Sequence, residues 1–280
     1  MTLAVNFEKE PEFFNKNLAI YNELEIHNWA PWLRFSPEDF AEHRQVFPDG
    51  QITLHDNEGK PTVALETVRI NWSGKVEDLT TWDDVAGKQN GFSSIFQPYG
   101  NTIALLSMSV RPDVKKSGLA SSAINILVEK FQDSEIEYII GDFRPSDFGK
   151  YKKQSGDLNF AEYINSRRED GKKVDSWLRA VEKTGGSILK PDPRAMVVET
   201  TLDDLAIFYS EHGPEKWRMI DTQSNEAKQL IAWHQPEINL GKVDEIWECE
   251  ETGSWYLDRD DNKAVYIESN VWGKLPLDNK

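Results

Sequence analysis

Apolar and polar residues follow two different periods along this chain, and the places where the period switches mark out its elements. Thr102–Val110 is a near-continuous apolar run, the pattern of a strand covered on both faces. Across Gly118–Phe131 the period becomes helical, with Ala120, Ala123, Ile124, Leu127, Val128 and Phe131 at steps of three and four. Ile136–Phe143 reads as a strand again, so strand, glycine loop, helix and strand form a βαβ-like unit. Upstream, Gln51–His55 and Thr62–Asn71 form a hairpin across Asn57-Glu58-Gly59. Ser36 is placed to cap a helix that has Pro37 in its first position and ends near Val46. Downstream, the pattern predicts helices over Phe160–Arg168, Val174–Lys183, Leu202–Tyr209 and Asn225–Trp233. It places short strands at Ser187–Leu189 and Ala195–Glu199 around Pro191 and Pro193, and a hairpin from Trp255–Leu257 to Ala264–Glu268. Residues 1–35 read as aromatic-rich and irregular, and 72–100 as loop with a helical turn at Thr80–Val85. With no repeat and no obvious linker, the expectation is a single α/β domain over 1–280. It has an N-terminal extension (1–35), a core (about 36–200) and a C-terminal extension with a hairpin (201–280).

Composition narrows the partners. Apolar residues make up 39% of the chain and aromatic residues 11%, enough for a true core rather than a disordered chain. The net charge of −16 repels nucleic acid and anionic membranes, but does not oppose an amine substrate. A single cysteine, Cys249, rules out an intrachain disulfide, and the five scattered histidines offer no metal-ligand spacing, so no metal is expected. The N-terminus lacks a basic segment followed by an apolar run, which makes a cytoplasmic location the expectation. Oligomeric state is not readable.

Chemistry concentrates in Leu106–Ser122. The strand ends at Val110, a short turn follows at Arg111-Pro112-Asp113-Val114, and a basic small-residue loop opens a helix. Free N–H groups at a helix start, with the helix dipole, suit a phosphate. Lys115 and Lys116 add local positive charge to an acidic protein, Gly118 allows close backbone approach, and Ser121 and Ser122 can supply hydroxyls. A P-loop is excluded because Lys-Ser/Thr does not follow Gly118 at the required spacing, and a dinucleotide loop lacks its Gly-x-Gly start.

Lys115-x-x-Gly118-x-Ala120, entered through Val110-x-Pro112, resembles the pyrophosphate signature of the GNAT superfamily of N-acetyltransferases, with Lys in place of the usual Gln or Arg. The resemblance implies a mixed, mostly antiparallel sheet flanked by helices. It also implies a V-shaped splay between strands 102–110 and 136–143 that admits the pantetheine arm of an acyl-CoA, acetyl-CoA first among them. The implied coenzyme A-binding residues are Met108, Ser109, Val110, Lys115, Lys116, Ser117, Gly118, Leu119, Ala120, Ser121 and Ser122. Arg144-Pro145-Ser146, Phe148-Gly149-Lys150-Tyr151, Ser176-Trp177-Leu178-Arg179 and the closing Ala264–Trp272 further resemble the GNAT-like loading domains of polyketide synthases. Those domains decarboxylate malonyl-CoA, and acyl transfer to a carrier-protein thiol has been ascribed to them. The decarboxylating members carry a His just after the Leu-Arg pair. Here Leu178-Arg179 is followed by Ala180-Val181-Glu182, and Ser146 stands where they carry Thr.

These readings favour acetyl transfer to a small amine by direct attack on the thioester. A decarboxylase or S-acyltransferase serving a carrier protein is the alternative, and a catalytically silent acyl-CoA-binding module the third. Glu66 is the candidate base and Tyr151 the candidate acid for the leaving thiolate, while Asp142, Arg144 and Ser146 are candidate substrate contacts. Trp29, Trp32 and Trp72 are candidate pocket walls, and His212 and His234 read as surface residues. Asp258-x-Asp260-x-Asn262 reads as a hairpin tip, since it lacks the glycine and glutamate of a calcium loop.

Overall fold

The computed structural model describes residues 11–115, 117–155, 159–249 and 253–277. The chain forms two compact units, residues 1–141 with 274–280 and residues 142–273. The division falls inside the stretch expected to be one core.

The first unit opens with α1 (Pro11–Ile20), which continues through a π-helical turn (Tyr21–Glu25) into α2 (Ile26–Asn28). This stretch was expected to be irregular. Asn17, Ile20 and Leu24 are spaced as a helical stripe, and Ile20 and Leu24 pack with Phe40 and Ala64. The asparagine interrupts the apolar pattern, but its amide N–H is bonded inside the helix to the Phe13 carbonyl at 2.9 Å. α3 (Pro37–Val46) starts as expected, with the Ser36 hydroxyl accepting from the Asp39 N–H at 3.2 Å and the Asp39 carboxylate accepting from the Ser36 N–H at 2.7 Å. β1 (Ile52–His55) and β2 (Pro61–Ile70) form the expected hairpin. α4 (Trp82–Ala86) is capped by Thr81, and α5 (Phe92–Ile95) follows it.

β3 (Thr102–Val110) lies between β2, antiparallel, and β4 (Tyr138–Phe143), parallel, which explains its unbroken apolar run. The chain approaches β3 through Gly100, where a Cβ would stand 2.3 Å from the Ile70 carbonyl oxygen. α6 (Leu119–Phe131) buries Ala123, Ile124, Leu127 and Phe131 in the expected register, and packs against β1, β2 and β3.

The second unit contains α7 (Phe148–Ser155), α8 (Phe160–Asn165), α9 (Ser176–Lys183), β5 (Ser187–Thr201), α10 (Leu202–His212), β6 (Trp217–Ile220) and α11 (Asn225–His234). It closes with β7 (Glu245–Cys249), β8 (Ser254–Asp258) and β9 (Lys263–Leu275). β6 through β9 pair in sequence order, all antiparallel, and β5 also pairs with β9. β5 is one strand of 15 residues rather than two short ones. Pro191 and Pro193 stand two apart, so both missing donors face the same edge and the strand runs through them. Ile220, Leu230, Ile246, Tyr256, Val265 and Ile267 are central to the core here. The hairpin tip reading holds: buried Asp258 accepts backbone N–H groups from Asp260 at 3.2 Å and Asp261 at 3.3 Å.

The fold class is α/β, as the pattern predicts, with the mostly antiparallel sheet and flanking helices that the resemblance implies.

Candidate functional site

In the first unit the geometry converges on the end of β3. Its ladder with β4 runs from Thr102↔Tyr138 to Leu105↔Gly141 and stops there, while β3 continues to Val110. Met108, Ser109 and Val110 still pair with Leu65, Ala64 and Val63 of β2. The opposite edge of this segment is where the splay was expected. A 3₁₀ turn (Pro112–Val114) then carries the chain to the loop. Gly118 occupies the left-handed region at φ 88°, and no side chain caps α6. A Cβ at Gly118 would meet nothing within 4 Å, so the glycine is required by its dihedral angle and not by crowding.

The first intrahelical bond runs from the Ser122 N–H to the Gly118 carbonyl at 3.0 Å. The amides of Leu119, Ala120 and Ser121 precede it, on the positive end of the dipole. Lys115 is exposed, and Lys116 lies outside the described residues. The Ser117 hydroxyl donates to the Val114 carbonyl at 2.6 Å and that of Ser122 to the Gly118 carbonyl at 3.2 Å, so both protons are committed to the loop. Ser121 is exposed in the first turn. Arg111 adds no free charge, because Asp56 (2.8 Å) and Asp113 (2.7 Å) both hold it.

Ser109 faces inward. Its hydroxyl accepts from Trp29 Nε1 at 2.7 Å and donates to Glu25 Oε1 at 2.7 Å. Any ligand contact at Ser109 is therefore through its backbone. Glu25 is 1% exposed, and burial pushes its carboxyl up to about 7, although Ser109 and the Phe35 N–H draw it down. Sequence reasoning missed this carboxyl, because it sits in the stretch expected to be irregular.

Glu66 occupies a different environment from the one a base needs. It is 1% exposed and gripped by Arg44 at 2.8 and 3.1 Å, with His43 Nδ1 at 3.1 Å. Burial pushes its carboxyl up, but Arg44 and His43 outweigh it and hold Glu66 below the usual range. It is a sealed counter-ion rather than an accessible proton acceptor. Trp72 is likewise committed, with Nε1 on the Lys75 carbonyl at 2.9 Å and its ring edge-on to Tyr138.

In the second unit, Arg144 and Ser146 line a cavity of about 70 Å³ together with Lys152, Trp233, His234 and Glu268. Arg144 is paired with Glu268 (Nε–Oε1 2.8 Å), and the Ser146 and Ser176 hydroxyls lie 2.9 Å apart. Asp142 does not line this cavity. Its Oδ1 is sealed from solvent, and burial, then Asp192, raises its carboxyl well above the usual range. Tyr151 packs its ring on Tyr163 at 4.7 Å. His234 is buried rather than on the surface, with Nδ1 2.6 Å from the Tyr256 hydroxyl and Nε2 2.9 Å from Ser269 Oγ. Burial lowers its pKa to about 3, so it is neutral. The i, i+4 spacing of Phe148 and Lys152 was the available signal for one cavity face, while Trp233 and His234 carried none.

No protein-family model matches the chain. It is 25% identical over 172 residues to YkwB of Bacillus subtilis (strain 168), described as an uncharacterized N-acetyltransferase, covering 61% of this chain and 70% of that protein. The loading GNATL domain of CurA from Lyngbya majuscula superposes with a TM-score of 0.53 at 21% identity, over 65% of this chain and 83% of that one. The GphF GNAT-like decarboxylase, solved with isobutyryl-CoA, gives 0.55 at 20% identity, over 65% and 87%. This is a GNAT-fold protein. The GNAT-like neighbours agree with the sheet and flanking helices anticipated from the sequence. Within this GNAT fold, no helix among the described residues is long and apolar enough to cross a membrane.

Proposed function

We propose that the chain is an acyl-CoA-dependent acyltransferase that moves an acyl group, acetyl as the first candidate, to a small amine. The observation that carries this reading is the end of β3 and the start of α6 taken together. A strand freed from its parallel neighbour after Leu105 leads into an uncapped helix start behind Gly118, with Lys115 exposed beside it. That arrangement suits a pyrophosphate at the amides and an extended amide-bearing arm along the strand. The description of YkwB as an N-acetyltransferase and the isobutyryl-CoA held by GphF support it.

Catalysis on this reading comes mainly from holding the two reactants together and from backbone N–H groups facing the thioester oxygen. Glu66, bound to Arg44, keeps β2 in place and takes no proton. Of the acid and acceptor candidates, Arg144 and Ser146 line the cavity of the second unit, while Tyr151 and sealed Asp142 do not.

A second reading, decarboxylation with loading of a carrier protein, is supported by the CurA and GphF neighbours. Against it, Val181 is 4% exposed on the apolar face of α9 beside Leu178, where that chemistry would need an imidazole.

Calorimetric titration of the full chain with acetyl-CoA tests the first reading. Lys115→Glu combined with Gly118→Glu is expected to weaken binding by at least about tenfold, through lost charge, added repulsion and a strained φ. Unchanged affinity overturns it. Release of CO₂ from malonyl-CoA faster than any acetyl transfer across an amine panel would place the second reading first.

A further inference from the structure

The cavity of the second unit contains an amine of its own. Lys152 lies on α7 with 9% of its side chain exposed and faces the cavity. Its Nζ stands 5.1 Å from the centroid of the Phe148 ring. Phe160 meets Phe148 edge-on at 5.0 Å and Trp233 at 5.7 Å, which completes an aromatic wall. A short acyl group attached at Nζ would lie against these rings, in a space of about 70 Å³.

The charges around Lys152 would also stay paired if it became neutral. Its partner is Glu248 on β7, 7% exposed. Removing one member of a buried ion pair usually strands the other charge and is strongly destabilising. Glu248 would not be stranded here, because Arg218 on β6 pairs with the same carboxylate and also with Glu226 on α11 at 2.9 Å. Across the cavity, Arg144 is matched by Glu268, and His234 is uncharged. Burial, then the charge of Arg218, lowers the Lys152 ammonium to about 8. About one molecule in ten would then present a free amine at pH 7, against fewer than about one in a thousand for an ordinary lysine.

We propose that Lys152 is an acylation site of this protein, accepting an acyl group from a thioester admitted to the cavity. Neutral Nζ attacks the thioester carbonyl carbon, so a C–N bond forms and the C–S bond breaks. The proton lost by Nζ passes to Glu248 and on to the departing thiolate, which leaves as a free thiol. The products are an N-acyl-lysine and that thiol, with no further reactant. The identity of the donor as an acyl-CoA rests on the function proposed above, but the reactivity of Lys152 does not.

The test uses the full chain with two donors in parallel, acetyl-CoA and the small thioester S-acetyl-N-acetylcysteamine, and follows acetylation of each lysine by peptide mass spectrometry. With the small thioester, Lys152 is expected to react at least about tenfold faster than exposed Lys115 or Lys130, with a rate that rises to a midpoint near pH 8. Labelling of Lys152 no faster than those two residues overturns the proposal, whatever acetyl-CoA does. Fast labelling by the small thioester but none by acetyl-CoA supports Lys152 as the site and counts against acyl-CoA as the donor. Lys152→Arg keeps the ion pair and is expected to abolish the fast-labelled peptide.

Discussion

Glu25 places a pH-dependent strain under the end of β3. Its carboxyl moves from an ordinary 4.5 to about 7 on folding, because 1% exposure leaves its charge almost no water. The folded state therefore holds the proton more tightly than the unfolded state does. Below 4.5 both states are protonated and the contribution is fully present. It is lost as pH rises towards 7, and above that both states are ionised and the loss is constant. The displacement corresponds to about 3 kcal/mol, a large share of the roughly 5–15 kcal/mol that holds a typical domain together. Glu25→Gln replaces the carboxyl with a group that has no charge to bury. Its amide oxygen can still accept from Ser109 Oγ, now at 2.7 Å from Glu25 Oε1, while the bond from the Phe35 N–H, 3.2 Å, is given up. Urea unfolding of both proteins at pH 5 and pH 8 gives a double difference from which the other titrating groups cancel. The variant is expected to gain about 2–3 kcal/mol on the wild type across that interval. A stability difference that does not change with pH would refute the assignment of a raised carboxyl to Glu25.

Arg44→Met strands Glu66 without its main cation, and should destabilise by about 3–5 kcal/mol in urea unfolding. The double variant Arg44→Met/Glu66→Leu should recover most of that loss, and a cycle showing no coupling would contradict the pair. Gly100→Ala drives a methyl to 2.3 Å from the Ile70 carbonyl oxygen, with an expected loss of more than about 2 kcal/mol and a lower thermal midpoint. His234→Leu removes partners from Tyr256 and Ser269, costing about 2–3 kcal/mol at pH 7. A histidine lowered to about 3 contributes fully above its unfolded 6.5 and loses that contribution as pH falls, so the variant should also show a flatter acid limb.

What the sequence revealed and what it hid follow from the range of the forces involved. α3, the β1–β2 hairpin, β3 and α6 were legible, because local spacing, a capping box and a continuous apolar run specify them. The Gly118 turn was legible for the same reason, since a dihedral preference is a property of one residue. The α1 helix was hidden by Asn17, whose partner is within its own helix. β5 was hidden by Pro191 and Pro193, which break a strand only if their missing donors fall on a paired edge. Glu66 is the instructive case at the site. A carboxyl on a strand looks available until Arg44, 22 residues away, is seen to hold both of its oxygens. The cavity around Lys152 depends on residues up to β9 meeting α7, and no local pattern encodes such a meeting.

The first unit is discontinuous in sequence, and this has a consequence for biosynthesis. Its closing segment begins at Lys274, whose ammonium lies over the Tyr138 ring, and that segment is translated only after all of 142–273. β3 and α6 can collapse early, but the unit acquires its last piece only after 142–273 has been made. A ribosome-bound or proteolytic fragment ending at Gly141 is then an unfinished unit rather than a free-standing domain. Chaperone dependence and cleavage sensitivity should track how long the chain waits for Lys274.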